Sequence, residues 1–249
     1  MITLKMNNKN KLKILAIIPA RSGSKSIKNK NIRKINNLPL LSYSIKTAKK
    51  SKLINKIIVT TDSPKIRKIA LQFKAEAPFL RPKKISGDYS TDVEYIIHAI
   101  KELKKKHYSP DLIVILRPTL PFRDSTIVDN AIKHFIKTKA DSLKSVTIAS
   151  ETPFKMWEIT KKKYLIPLFG LKKLNLTSTP RQLLKKIYWQ NGYVDITTPK
   201  TINKYKNELG KKITFYKINF KTIDIDYNHD LLNARNNKRI FLGEKIFPS

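Results

Sequence analysis

The chain alternates short apolar, β-branched runs with stretches of helical period. Residues 13–19 (KILAIIP), 56–60 (KIIVT) and 112–116 (LIVIL) are apolar at almost every position, so each predicts a strand buried on both faces. Segments 40–50, 64–73, 93–105 and 126–136 repeat apolar residues at three- and four-residue steps, as in Val93, Ile96, Ile97, Ile100 and Leu103, and predict amphipathic helices. Pro64 suits a helix first turn. A short strand is expected at 77–80 and a longer one at 142–149. Strands that alternate with helices and carry no polar face predict an α/β fold: a doubly wound, mostly parallel sheet with helices on both sides.

The alternation breaks at 151–190. This stretch holds Pro153, Pro167 and Pro180, both tryptophans (Trp157 and Trp189), and no clean helical period. It reads as an insert with too little apolar material to form its own core, expected to pack on something else, a second subunit. Strand character returns at 192–197 and 213–218, and a last helix follows Asp226. The expected organisation is a basic flexible N-terminus (1–12), a core (13–150 and 191–249) and an arm (151–190).

Composition changes this picture in one respect. The 249 residues contain 52 Lys+Arg against 18 Asp+Glu, a formal net charge of +34. Such a charge suggests a nucleic-acid partner. The lysines, however, are spread over helices (Lys101, Lys104, Lys105, Lys106), turns (Lys161, Lys162, Lys163) and both ends, and no single helix or arm concentrates them. Lys, Ile and Asn also share AT-rich codons. The charge therefore reads as a lysine-rich solvated surface with salt-sensitive, non-specific binding and no specific nucleic acid. Cysteine is absent, which excludes disulfides, thiolate metal sites and a cysteine nucleophile. No apolar run reaches the ~20 residues needed to cross a bilayer, and no signal peptide is recognisable at the N-terminus. A soluble cytoplasmic protein is expected.

In open α/β sheets ligands bind beyond the carboxyl ends of the strands. After the first strand comes Pro19-Ala20-Arg21-Ser22-Gly23-Ser24-Lys25-Ser26-Ile27-Lys28-Asn29-Lys30-Asn31. Small residues let backbone N–H groups approach an anion, and Arg21, Lys25, Lys28 and Lys30 add charge. It is neither a Walker loop nor a dinucleotide fingerprint. Near the other end, Asp224-Ile225-Asp226 places two carboxylates at i, i+2, on one face of an extended segment. Two carboxylates side by side repel unless a cation sits between them, and a hard cation such as Mg²⁺ resolves that. The plainer alternative makes Asp226 a helix N-cap. Asp62, after the second strand, reads as a cap for the helix opened by Pro64. Arg117 and Arg123 flank Pro118-Thr119-Leu120-Pro121 at the ligand edge, and the four histidines have no metal-ligand spacing.

Arg21-Ser22-Gly23-Ser24-Lys25 with Lys30-Asn31, Thr60-Thr61-Asp62, Leu80-Arg81-Pro82, Pro118-Thr119-x-Pro121-x-Arg123, Asn191-Gly192 and Asp224-Ile225-Asp226 occur in the order found in the acylneuraminate cytidylyltransferases. The chain resembles that family over nearly its whole length. The resemblance implies a Rossmann-like core and an inserted arm that embraces a second subunit. It also implies transfer of CMP from CTP to the anomeric hydroxyl of an acidic nine-carbon sugar, with release of pyrophosphate. Arg21, Lys25 and Lys30 would hold the triphosphate, with Gly23 and Ser24 allowing backbone approach. Asn31, Arg81 and Ser90 would lie around the cytidine, and Asp224 and Asp226 would hold Mg²⁺. Lys155 and Arg181 would reach the sugar acid from the arm, in the neighbouring subunit's site; Asn191 also belongs to the sugar side.

The chain departs from many sialic-acid enzymes at three places. Arg117 stands where glutamine is common, Leu120 where serine is, and Trp189 where a second arm arginine occurs. The sugar pocket is thus expected to be rebuilt for a nonulosonic acid other than N-acetylneuraminate. Arg117 would offer its planar fork to the sugar carboxylate and so replace the charge lost at Trp189. The alternatives are a cytidylyltransferase for the eight-carbon acid Kdo, and a non-enzymatic nucleic-acid-binding protein.

Overall fold

A computed structural model describes residues 12–236. The expected flexible N-terminus, apart from Leu12, lies outside them, as do residues 237–249.

In chain order the elements are β1 (Ile14–Pro19), the two-residue strands β2 (Lys34–Ile35) and β3 (Leu38–Pro39), α1 (Leu40–Lys50), β4 (Lys56–Thr60), α2 (Pro64–Gln72), α3 (Asp92–Lys105), β5 (Leu112–Ile115), α4 (Ser125–Lys137), β6 (Ser142–Ile148), β7 (Trp157–Ile159), β8 (Leu165–Pro167), a single turn α5 (Asn175–Ser178), β9 (Tyr188–Thr197), α6 (Pro199–Tyr205), β10 (Ile213–Lys217) and α7 (Asn228–Asn236). Six strands form one sheet in the order β10-β6-β9-β5-β1-β4. β1 is parallel to both neighbours, with Ile17 opposite Ile58 of β4 and Leu15 opposite Ile113 of β5. β10 is parallel to β6, and only β9 runs antiparallel, between β5 and β6.

The apolar runs are buried as their composition demands. Alternate residues of β1 enter different layers. Ala16 and Ile18 pack with Leu41, Ile45, Ile66, Ala70, Ile132 and Phe135 of α1, α2 and α4. Leu15 and Ile17 pack with Tyr95, Ile96, Ala99, Leu103 and Ile202 of α3 and α6. Each face of the central strands thus has its own helical layer. Local chemistry sets the helix starts. Ser63 caps α2 at Ile66 N with Pro64 in the first turn, Thr91 and Glu94 form a capping box on α3, and Asp124 caps α4. A third, smaller cluster of Ile27, Ile35, Leu40, Tyr43, Ile225, Leu231 and Ala234 lies apart from the two layers and joins the loop after β1 to the chain before α7.

Several expectations are corrected. No strand forms at 77–80; only Glu76 bridges to Ile58, and the chain then turns away. β9 begins at Tyr188, inside the expected arm, because Tyr188, Trp189 and Gln190 pair with Ile148, Thr147 and Val146. A register irregularity beside Lys144 and the left-handed Gly192 (φ 64°) break its alternation, so only its second half reads as a strand in sequence. Asp226 is not an N-cap: α7 starts at Asn228, and Asp230 accepts from the backbone N–H groups of Asp226 and Tyr227. Asp62 is not a cap either, since Ser63 holds that position.

Between Ser150 and Tyr188 only Pro167 is buried. The stretch consists of the β7–β8 hairpin and short turns, with Phe154 and Phe169 rings 5.3 Å apart. Ile159, Tyr164, Leu165, Phe169, Leu171 and Leu183 are all exposed. Among the described residues no helix is long and apolar enough to cross a membrane.

Candidate active site

A cleft of roughly 480 Å³ opens at the carboxyl ends of β1 and β5. Its lining includes Arg21, Ser24, Lys25, Lys30 and Asn31 from the loop after β1, Arg81 and Ser90 from the segment before α3, Arg117 from the end of β5, and Asp226. Gly23, Asp224, Lys155, Arg181 and Asn191 are not among its lining residues.

Buried anchors hold the basic loop. Asn31 donates from Nδ2 to the Arg21 carbonyl at 2.9 Å, and the Asp62 carboxylate accepts from Ser22 N at 2.8 Å and Ser22 Oγ at 2.5 Å. Asp62 therefore ties the loop after β1 to the end of β4. Arg21 and Lys25 both pair with Asp88, at 2.8 and 2.7 Å. These hydrogen bonds, from Lys25 and then Arg21, hold the Asp88 carboxyl below the usual carboxylate range. Gly23 is exposed, a Cβ there would meet nothing within 4 Å, and its φ is not left-handed. Nothing among the described residues requires glycine there.

Lys30 reaches into the cleft from a short 3-10 turn and pairs with Asp226 Oδ1 at 2.9 Å. Ile225, fully buried in the third cluster, donates its N–H to the Thr119 carbonyl at 2.8 Å. That anchor leaves the flanking Asp224 and Asp226 exposed. Neighbouring atoms crowd the Asp224 carboxyl and push its pKa up, the Asp226 charge adds to this, and a hydrogen bond with Thr119 opposes it. Among the described residues no group of three or more Asp, Glu or His gathers to hold a metal. The pair nevertheless fits a hard divalent cation. Its two oxygen-donor carboxylates still repel, and Mg²⁺ characteristically takes one or two carboxylates and completes its shell with phosphate oxygens and water.

On the opposite wall, Arg81 is buried, donates to Thr60 O at 2.7 Å and lies 4.8 Å above the Tyr95 ring. Burial lowers its pKa. Arg117 differs from expectation. Its fork is already taken by two carboxylates, Asp92 and the buried Asp195, and Lys144 Nζ meets the same Asp195 oxygen at 3.1 Å. Burial opposes the Arg117 charge, but Asp195, Tyr95 and Asp92 outweigh it and raise its pKa. In the free chain Arg117 is thus a charge-compensated part of the cleft wall.

Arg123 is half-buried and ends on neutral acceptors. It donates to Tyr193 O at 2.6 Å, Arg117 O at 2.8 Å, Ser44 Oγ at 3.1 Å and Leu120 O. Burial pulls it down to about 10, still cationic at neutral pH. It staples the loop after β5 to β9. Asn191 is buried, with Oδ1 accepting from Tyr193 N at 3.1 Å. Lys155 and Arg181 are exposed in the insert; Arg181 donates to the carbonyls of Ala149 at 3.2 Å and Ser150 at 2.7 Å.

Sequence reasoning missed Asp88, Asp92 and Asp195, and misread Asp62. A usable signal existed for Asp195: an acid inside the apolar run Tyr193-Val194-Asp195-Ile196 of a chain with so few acids implies a buried cation partner.

Residues 15–172 match the family model described as Cytidylyltransferase. The chain is 33% identical over 224 residues to the CMP-N,N'-diacetyllegionaminic acid synthase of Legionella pneumophila, covering 86% of this chain and 91% of that protein. It is 32% identical over 222 residues to the post-translational flagellin modification protein B of Campylobacter coli, covering 87% and 91%. A 121-residue match to the N-acylneuraminate cytidylyltransferase of Escherichia coli O18:K1:H7 is 42% identical but spans 49% of this chain and 28% of that enzyme. Among solved structures, a CMP:2-keto-3-deoxy-manno-octonic acid synthetase complexed with CTP superposes with a TM-score of 0.68 at 13% identity, over 94% of this chain and 100% of that one. The likeness to that structure is one of fold.

Proposed function

Starting from the premise that this chain belongs to the cytidylyltransferase family, we propose that it transfers CMP from CTP to the anomeric hydroxyl of a nonulosonic acid and releases pyrophosphate. The observation that carries this reading is the convergence of Arg21, Lys25 and Lys30 with Asp226 in one cleft at the sheet edge. The substrate class is supported by the Legionella relative, a CMP-N,N'-diacetyllegionaminic acid synthase matched over 91% of its length.

In this reading Arg21, Lys25 and Lys30 hold the triphosphate, with Ser24 beside them, and Asn31, Arg81 and Ser90 surround the cytidine. The sugar hydroxyl oxygen forms a bond to the α-phosphorus and gives up its proton to water, and the bond from that phosphorus to the bridging oxygen of pyrophosphate breaks. Negative charge grows on the non-bridging and leaving oxygens, and fixed cations stabilise it without a protein nucleophile. Asp224 and Asp226 would hold Mg²⁺, which supplies further charge neutralisation on the phosphates when bound. Arg123 keeps the loop after β5 in place, and the Arg117–Asp195 pair keeps the cleft wall rigid.

The insert supports a homodimer. Its Leu165, Phe169, Leu171 and Leu183 are exposed among the described residues, and a second copy would cover them. Lys155 and Arg181 lie outside their own cleft, which fits a role in the neighbouring subunit's sugar site.

The deciding experiment measures pyrophosphate release with each of the four nucleoside triphosphates, Mg²⁺ and a panel of acidic sugars. Release confined to CTP with a nonulosonic acid is expected. Release with Kdo alone would move the chain to the eight-carbon branch, and equal release from ATP, GTP and UTP would overturn the CTP assignment.

A further inference from the structure

Asp88 sits between two cations of the loop after β1. Its two carboxylate oxygens are divided between Arg21 Nη1 at 2.8 Å and Lys25 Nζ at 2.7 Å, so one anion clamps both cations of the loop after β1. All three residues line the cleft. The carboxylate is carried on a short exposed turn. Ser90 N donates to Gly87 O at 3.3 Å and Gly87 N to Ser90 Oγ at 3.0 Å, and the adjacent Tyr89 is 96% exposed. No other side-chain partner of Asp88 is found among the described residues, so its carboxylate is held in this position by the two cations alone.

The charges explain what such an arrangement does. Arg21 and Lys25 would repel each other in an empty anion seat. A carboxylate between them offsets the repulsion and keeps both aimed inward. A single carboxylate is a weak competitor for a polyphosphate, which offers more charge and more acceptor oxygens to the same cations.

We propose that Asp88 is a placeholder anion: it holds Arg21 and Lys25 in position in the free enzyme, is exchanged for a phosphate group when the nucleotide enters, and returns as pyrophosphate leaves. This inference rests on the anion-site reading above. It assigns Asp88 a positioning role, acting through Arg21 and Lys25, that opposes ligand affinity and favours product release.

The test is calorimetric titration of inorganic pyrophosphate, in the absence of metal, into the full-length protein and its Asp88→Asn, Asp88→Glu, Arg21→Ala and Arg21→Ala/Asp88→Asn variants. Asp88→Asn is expected to tighten pyrophosphate binding by about threefold to tenfold, in keeping with the modest strength of exposed ion pairs. Asp88→Glu, which keeps the carboxylate, should stay near the parent. The gain should shrink in the Arg21→Ala background, because a placeholder acts through that cation; a general change in surface charge would persist undiminished. In steady state Asp88→Asn should lower the KM for CTP and strengthen product inhibition by pyrophosphate. Unchanged or weaker pyrophosphate binding in Asp88→Asn, or a gain that survives Arg21→Ala in full, overturns the placeholder. If Arg21→Ala itself leaves pyrophosphate binding untouched, the anion-site reading falls, and the placeholder with it.

Discussion

Lys30 and Asp226 are 196 positions apart in the chain and meet at 2.9 Å across the mouth of the cleft. The contact closes the site between the loop after β1 and the segment before α7, and the buried Ile225 sets its position. One half of the site is basic and is the proposed seat of the triphosphate. The other half presents Asp226, with Asp224 two residues away outside the lining, and Lys30 links the two halves.

Asp226→Asn keeps the shape and removes the charge. In line with the loss of one preorganised charge-stabilising group, turnover should fall by about 10²–10³-fold. Pyrophosphate release in saturating CTP, sugar and Mg²⁺ checks this. Full activity of the Asp224→Asn/Asp226→Asn double variant would remove the metal from the carboxylate pair.

Arg117→Gln should act on stability before it acts on sugar affinity. Asp195 is 2% exposed and would keep only Lys144 as its cation partner. Breaking a buried pair from one side is expected to cost about 2–4 kcal/mol. Arg117→Gln/Asp195→Asn should cost less than the sum of the single changes, because the stranded charge is gone. Urea denaturation of the four proteins measures the coupling. Full additivity would mean that the pair is not a stabilising unit.

Arg123→Met should destabilise by about 3–5 kcal/mol, because the carbonyls of Arg117, Leu120 and Tyr193 lose their donor inside the protein. Arg123→Lys should recover part of that, since an ammonium reaches fewer acceptors than a guanidinium. The urea midpoints of the two variants order them. Equal midpoints for Met and Lys would show that packing, not donation, is what Arg123 supplies.

His98 gives the fold an acid-side sensitivity. Its Nδ1 is buried without a hydrogen-bond partner among the described residues, and its ring stands edge-on to Phe79 at 5.0 Å. Burial lowers its pKa below 6.5, and the nearby Glu102 only partly offsets this. Below about pH 6.5 the unfolded chain then binds a proton that the folded chain resists. This contribution is full above that pH and is lost as pH falls through the folded-state pKa. His98→Gln should therefore narrow the difference in urea midpoint between pH 7.5 and pH 5.5. An unchanged difference would place the acid sensitivity elsewhere.

Local pattern was enough to read the two-layered burial of β1, β4 and β5, the helices that cover them, and the basic loop after the first strand. Runs such as KILAIIP and LIVIL can only be satisfied inside a covered sheet, and helix periodicity and capping are written within a few residues of where they act. The spacing of Asp224 and Asp226 was legible for the same reason. The tertiary structure alone decided everything that depends on separation along the chain. It set β9 antiparallel between β5 and β6, a pairing that brings Asp195 under Arg117. It turned Asp62 from an apparent cap into the tether of Ser22, and placed Asp88 between Arg21 and Lys25. A carboxylate's partner is fixed by which strands lie side by side and which loops share an edge. Sequence periodicity reports which face a residue occupies, but not what stands across from it.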